Sequence, residues 1–253
     1  MRQGAVRLER EGAVAFVTLA SPGRLNAMSR AMWRALRAVF DDELARDASL
    51  RCVIVRGEGG QFCAGGDISE YPSFRFDEAL LREFHENEVW AALAAMRACE
   101  LPLVAQIEGA CMGAGLEIAS CCDIRLAGES AKFGAPIAKL GFPMAPREAA
   151  LVRGAVGDTL ARDMLLAASV HGAQRLYEAG FLLAVLPDAE LAPQALAHAA
   201  RIAELAPEAA RANKRTLAAA STESLLATAY DYADSPEHRE GIAAFLAKRP
   251  PVF

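Results

Sequence analysis

Apolar positions fall into alternating runs at the start of the chain, continuous short runs in the middle and helix-spaced stripes between and after them. Val6 and Leu8 alternate with charges, Glu11-Gly12 turns, and Ala13 to Leu19 runs back, which predicts a β-hairpin ended by Ser21-Pro22-Gly23. Ser29 then reads as the N-cap of a helix with Met32, Trp33, Leu36, Phe40 and Leu44 inward. The run Arg51 to Arg56 is strand-like. Tyr71 to Asp77, with Pro72, Ser73 and three aromatics, reads as an irregular segment over a pocket. Asp77 caps a long helix whose stripe Leu81, Phe84, Val89, Leu93 and Met96 reads as core, ended before Pro102. Further strands are expected at Leu103 to Ile107, Asp123 to Ala127 and Leu183 to Leu186. From Glu190 onward the pattern is helical, with starts at Pro207, Thr222-Glu223 and Ser235-Pro236-Glu237. Recurring strands between helices define an α/β layered fold.

Composition narrows the class. The 253 residues are 53% hydrophobic and 23% charged, which describes a globular chain with a large core, and no repeat interrupts it. The opening MRQGAVRLEREG lacks the apolar core of a signal peptide, and no uncharged apolar run approaches a membrane span of about 20 residues, so a cytoplasmic protein without membrane partners is expected. A net charge of -5 without a basic run argues against nucleic acid. Six cysteines show no CxxC spacing and lie far from the four histidines, so no metal site is expected. Cys52, Cys111, Cys121 and Cys122 read as small core residues, whereas Cys63 lies beside the chemistry described next, where solvent access is conceivable but no partner base is visible.

Two stretches carry candidate chemistry. In QIEGACMGAGLEIASCCD, from Gln106 to Asp123, a buried strand leads through small residues into a helix at Gly113, Ala114 and Gly115. Small residues at such a junction let a ligand approach the backbone, and the unpaired N–H groups of a first helical turn carry partial positive charge. Glu117 stands beside those donors. In FCAGGDI, from Phe62 to Ile68, a second small-residue loop follows the strand at 51–56. Two amides aimed at one oxygen would stabilise a thioester enolate, because charge moves onto the carbonyl oxygen when the α-carbon loses or gains a proton. The plain alternative is close helix packing and two turns that never meet.

These blocks, with IEGACMGAGLEIASCCDIRLAG at 107–128, AKFGAPIAKLGFP at 131–143, EAGFLLAVLP at 178–187 and EGIAAFLAKRPPVF at 240–253, resemble the crotonase superfamily of enoyl-CoA hydratases and isomerases over essentially the whole chain. The resemblance implies a spiral of ββα turns over residues 1–189 and a helical trimerisation region over 190–253, in a homotrimer or homohexamer. It implies oxyanion-hole amides at Gly66 and Ala114 and a catalytic Glu117. It implies contacts to CoA or substrate at Arg24, Leu25, Ala27, Ala64, Asp67, Ile68, Gly115 and Ile137, with Phe245 and Lys248 reaching the CoA of a neighbouring subunit. No cofactor beyond the coenzyme A of the acyl-CoA substrate is implied, in the setting of fatty acid metabolism. Arg24 and Lys248 also read simply as surface cations. Where hydratases of this family carry Pro-Glu, this chain has Pro136-Ile137, so the second catalytic glutamate is replaced by Ile137.

Hydration needs water activated at Cβ and a proton delivered at Cα, which two carboxylates share most readily, and losing one positioned acid or base costs about 10² to 10⁴ in rate. Helix position favours an ionised Glu117 suited to a general base, and burial opposes that. Glu148, in GFPMAPREAA, reads first as a helix-start glutamate and second as a substitute for the missing group. The reading is therefore an acyl-CoA thioester enzyme of the hydratase/isomerase type, a hydratase-like lyase. Its rivals are a decarboxylase, a hydratase-lyase, an isomerase, or a CoA-thioester binding protein with weak catalysis.

Overall fold

The computed structural model describes residues 4–253, so the first three residues of the expected 1–189 unit lie outside the described part. In chain order the strands are β1 Ala5–Glu11, β2 Val14–Ala20, β3 Cys52–Gly57, β4 Leu103–Ile107, β5 Ala110–Met112, β6 Ile124–Gly128, β7 Lys132–Gly134, β8 Val170–Gly172 and β9 Ala184–Leu186. The helices are α1 Arg30–Ala38, α2 Glu78–Glu83, α3 Trp90–Ala98, α4 Ala114–Ser120, α5 Pro146–Val156, α6 Asp158–Leu166, α7 Ala173–Glu178, α8 Asp188–Ala203, α9 Pro207–Ala218 and α10 Pro236–Leu246. A six-stranded sheet runs β1-β2-β3-β4-β6-β9, antiparallel at its first pair and parallel thereafter, and a small sheet runs β5-β7-β8. The chain visits the large sheet, then the small one, then a helix: β4-β5-α4 is followed by β6-β7-α5. That is the ββα spiral of the crotonase fold.

Burial on both faces explains the continuous apolar runs. Along β2 and β3, Ala15, Val17, Leu19, Val53 and Val55 point into the main core under α1 and α3, while Val14, Phe16, Cys52 and Ile54 face a second core. Leu191, Ala195 and Ala199 of α8 close that second core, so the helix just beyond position 189 packs directly on the sheet. The hairpin turns at Gly12, where φ is +57°. Its outer strand β1 carries Arg7, Glu9, Arg10 and Glu11 on the exposed edge, a charge pattern that discourages edge pairing.

Three short strands are new and two sequence expectations change. Strands β5, β7 and β8 had no periodic signature, because three residues are too few to show one. The helix expected at Thr222-Glu223 is only a 3-10 turn, Glu223–Thr228, with no buried residue to hold a longer helix. The long helix capped by Asp77 contains a π-helical segment at Phe84–Val89 between α2 and α3. Phe84 and Val89 are both buried although five positions apart, and the widened turn brings them to one face.

Within that segment Glu88 is buried and accepts hydrogen bonds from Arg30 at 2.9 and 2.7 Å and from Arg34 at 2.7 Å, tying it to α1. Removing one partner of a buried ion pair leaves the other charge uncompensated, a cost reduced here because the arginines reach solvent. Glu88→Ala is expected to lower stability by about 2 kcal/mol, read as a shifted urea midpoint with an unchanged slope.

Candidate active site

Backbone pairing brings the two small-residue stretches together. The Cys63 amide donates to the Ala110 carbonyl at 2.8 Å and Met112 returns a bond to Cys63 at 2.9 Å, extending the small sheet into the loop after β3. On the other side, Met28 donates to Gly65 at 2.8 Å and Asp67 to Met28 at 2.8 Å. Helix α4 then rests on the loop. A Cβ at Gly115 would stand 2.4 Å from the Cys63 carbonyl oxygen, so that position admits only glycine, and Gly113, at φ +47°, turns the chain into the helix.

Gly66, Ala114 and Glu117 line one cavity of about 210 Å³. Among the described residues, no hydrogen bond engages the amides of Gly66 or Ala114. Glu117 is 8% exposed, and its carboxyl likewise has no partner among the described residues. Burial pushes its pKa from 4.5 up to about 8, and the neighbouring Glu148 adds to the shift. Desolvation outweighs the helix N-terminus, so the carboxyl is mostly neutral at pH 7.

Glu148 sits in the first turn of α5, yet it is 2% exposed and faces inward, where its Oε1 lies 3.2 Å from His85 Nδ1. It is thus a buried partner of a histidine on the cavity wall rather than a solvated helix-start residue. The π-helical segment supplies His85, so the stripe read as pure core also walls the site through Phe84, His85 and Val89. Sequence reasoning missed His85, whereas Tyr71 belongs to the segment expected over the pocket and does line the cavity. Tyr71 packs its hydroxyl against Gly66, 2.2 Å from where a Cβ would stand, and burial raises its pKa. The five-residue gap between Phe84 and Val89 was the available signal for His85.

The expected contacts divide. Ala64, Ile68 and Ile137 line the cavity beside Gly66 and Ala114, with Ile137 in a 3-10 turn, Pro136–Leu140. Gly115 supports the loop from behind. Arg24, Leu25, Ala27 and Asp67 do not line it: Arg24 pairs with Asp67 and donates to Ser69 at 2.8 Å. Phe245, 82% exposed, and Lys248 lie on the tail, away from the cavity. Cys63 is fully buried, and burial pushes its thiol up to about 12, so the solvent access considered for it is absent. Among the described residues no group of three or more histidine, cysteine or acidic side chains is placed to hold a metal ion, and no helix is long and apolar enough to cross a membrane.

A family model described as enoyl-CoA hydratase/isomerase matches residues 9–253. The 2,3-dehydroadipyl-CoA hydratase of Escherichia coli strain K12 is 32% identical over 254 residues, covering 97% of this chain and 97% of that protein. Enoyl-CoA hydratase EchA19 of Mycobacterium tuberculosis is 34% identical over 260 residues, covering 97% and 95%. The crystal structure of an enoyl-CoA hydratase/carnithine racemase from Magnetospirillum magneticum matches with a TM-score of 0.93 and 38% identity, covering 98% of this chain and 94% of that one. The chain belongs to the enoyl-CoA hydratase/isomerase family of the crotonase superfamily, and it is an enzyme of the acyl-CoA thioester type.

The raised pKa of Glu117 sets a pH dependence of stability. A carboxyl that holds its proton to about pH 8 when folded but releases it near 4.5 when unfolded contributes stability below the lower value, and this is lost as pH rises through the upper one. Glu117→Gln removes that loss. The variant is expected to gain stability relative to the parent progressively between pH 5 and pH 8, by a few kcal/mol at the upper end, in chemical denaturation at a series of pH values.

Proposed function

We propose that the protein adds water across the double bond of an enoyl-CoA thioester, with the thioester oxygen between the amides of Gly66 and Ala114. The observation that carries this reading is the convergence of two unbonded amides and an unbonded carboxyl on one cavity. As the enolate forms, its charge moves onto an oxygen already met by two donors, which costs no reorganisation at that moment. Glu117, mostly neutral at pH 7, delivers the proton to Cα. Ile137 occupies the place of the family's second carboxylate, so the acceptor comes from elsewhere. A His85 imidazole whose Nδ1–H is held by the Glu148 carboxylate leaves Nε2 free to take a proton from water as its oxygen bonds Cβ. Proton return from His85 to Glu117 through solvent closes the cycle, with one water added and no cofactor beyond the CoA of the substrate.

The relatives named as hydratases support the reaction class. The tail supports a homotrimer or homohexamer, because α10 and its flanks expose Tyr230, Ile242, Phe245, Leu246 and Val252, an apolar surface that a second copy would cover. In that assembly Phe245 and Lys248 reach the CoA bound to a neighbour.

Two measurements check this. With crotonyl-CoA, Glu117→Gln is expected to lower kcat by 10² or more with little change in KM, and Glu148→Gln by at least about tenfold through misplacement of His85. Full hydration by a folded Glu117→Gln variant would sink the acid assignment, and an undiminished Glu148→Gln the base. In sedimentation at micromolar concentration a trimer or hexamer is expected; a monomer there removes the role given to the tail.

A further inference from the structure

Among the described residues, Arg75 is the only arginine or lysine on the cavity wall. Its guanidinium carbon lies 3.5 Å from the centroid of the Phe142 ring and 4.7 Å from that of Tyr71, two rings that meet edge to face at 5.9 Å. Arginines nearby have acidic partners: Arg24 with Asp67, Arg30 with Glu88 and Arg147 with Glu86. Arg75 has none among the described residues, although the chain holds 32 acidic against 27 basic side chains. Burial lowers the Arg75 pKa.

Stacking explains how this cation stays in place without a counter-ion, and it also dictates what the cation can bind. The Phe142 ring covers a flat side of the guanidinium and Tyr71, its ring inclined at 70° to Phe142, meets it from another direction, which leaves the in-plane N–H donors that do not face Tyr71 pointing outward. The Arg75 N–H donors have no protein partner among the described residues and stay open to solvent, so an acceptor entering the cavity can take them up. A carboxylate matches that edge with two parallel hydrogen bonds. Arg24, Leu25 and Ala27, from the stretch expected to hold CoA, do not line this cavity, whereas Gly66, Ala114 and Glu117 do. The cavity is therefore the thioester and acyl end. Much of the remaining lining is apolar, including Phe84, Val89, Leu140 and Met144. A neutral Glu117 adds no charge to repel an anionic chain end.

We propose that this pocket selects CoA thioesters whose acyl chain ends in a carboxylate, and that Arg75, held between Phe142 and Tyr71, binds that carboxylate. This rests on the reading above for where the thioester lies, and it adds the class of substrate. The same guanidinium edge also suits a CoA phosphate, and the experiment separates the two sources. Binding of succinyl-, glutaryl- and adipyl-CoA is compared by calorimetry with the chain-matched butyryl-, valeryl- and hexanoyl-CoA, first on the unaltered protein and then on Arg75→Gln and Arg75→Lys. At least one carboxylate-ended thioester is expected to bind on the order of 30-fold tighter than its alkyl match. Arg75→Gln should collapse that ratio towards one, and Arg75→Lys, which keeps charge without the fork, should retain part of it. No preference in the unaltered protein for any of the three overturns the proposal without reference to a variant. Equal weakening of both series by Arg75→Gln also overturns it, assigning Arg75 to a CoA phosphate or to packing. Because these ligands are saturated, the outcome does not depend on turnover: a preference for carboxylate-ended ligands in a protein that hydrates no enoyl-CoA would retain the pocket's specificity and discard the reaction.

Discussion

The seating of α4 on the loop after β3 is the constraint on which the site depends. Gly115 has no room for a side chain because the Cys63 carbonyl fills the space, and Cys63 is fixed there by two ladder bonds to β5. Parallel strands β3 and β4 deliver their following segments to the same end of the sheet, so loop and helix meet there through the topology. Contact alone would place the segments near one another. The missing Cβ and the ladder together set the distance at which two amides are left without partners.

Burial then does the electrical work. A carboxyl on a first helical turn is ordinarily favoured as an anion, by a few tenths of a kcal/mol to about 1 kcal/mol. Withdrawing the same group from water costs several times more, and the neighbouring Glu148 adds repulsion of the same sign. The larger effect wins, and Glu117 holds its proton at neutral pH. One carboxyl that holds its proton, beside another held by an imidazole, is the pairing on which the proposed acid and base roles rest.

Much of this was legible because it was written in periodicity and in small residues. The hairpin, the Ser29 cap, the parallel strands and both glycine-rich junctions follow from local pattern, and the structure places them within a residue or two. Convergence of the junctions was not local, since it runs through three-residue strands too short to announce themselves. Glu148 illustrates the same limit from the other side. Its Ala-Pro-Arg-Glu start is a correct helix signal, but whether a first-turn glutamate faces solvent or core depends on what α5 packs against, and only the fold supplies His85 opposite it.

His85 is on the wall because the helix is irregular. In a uniform α-helix, positions five apart are separated by about 140° around the axis, so Phe84 and Val89 would not share a buried face. The π-helical segment inserts the extra residue, restores both to one face, and leaves His85 at the cavity with Glu88 turned towards α1. Such a segment is less favourable than a regular helix and persists where side-chain contacts repay it. Here the bond from Glu148 on one side and the paired arginines on the other do so, and both use charges already present on neighbouring helices. One wall carries the apolar Ile137, and the widened turn presents a protonatable group on another.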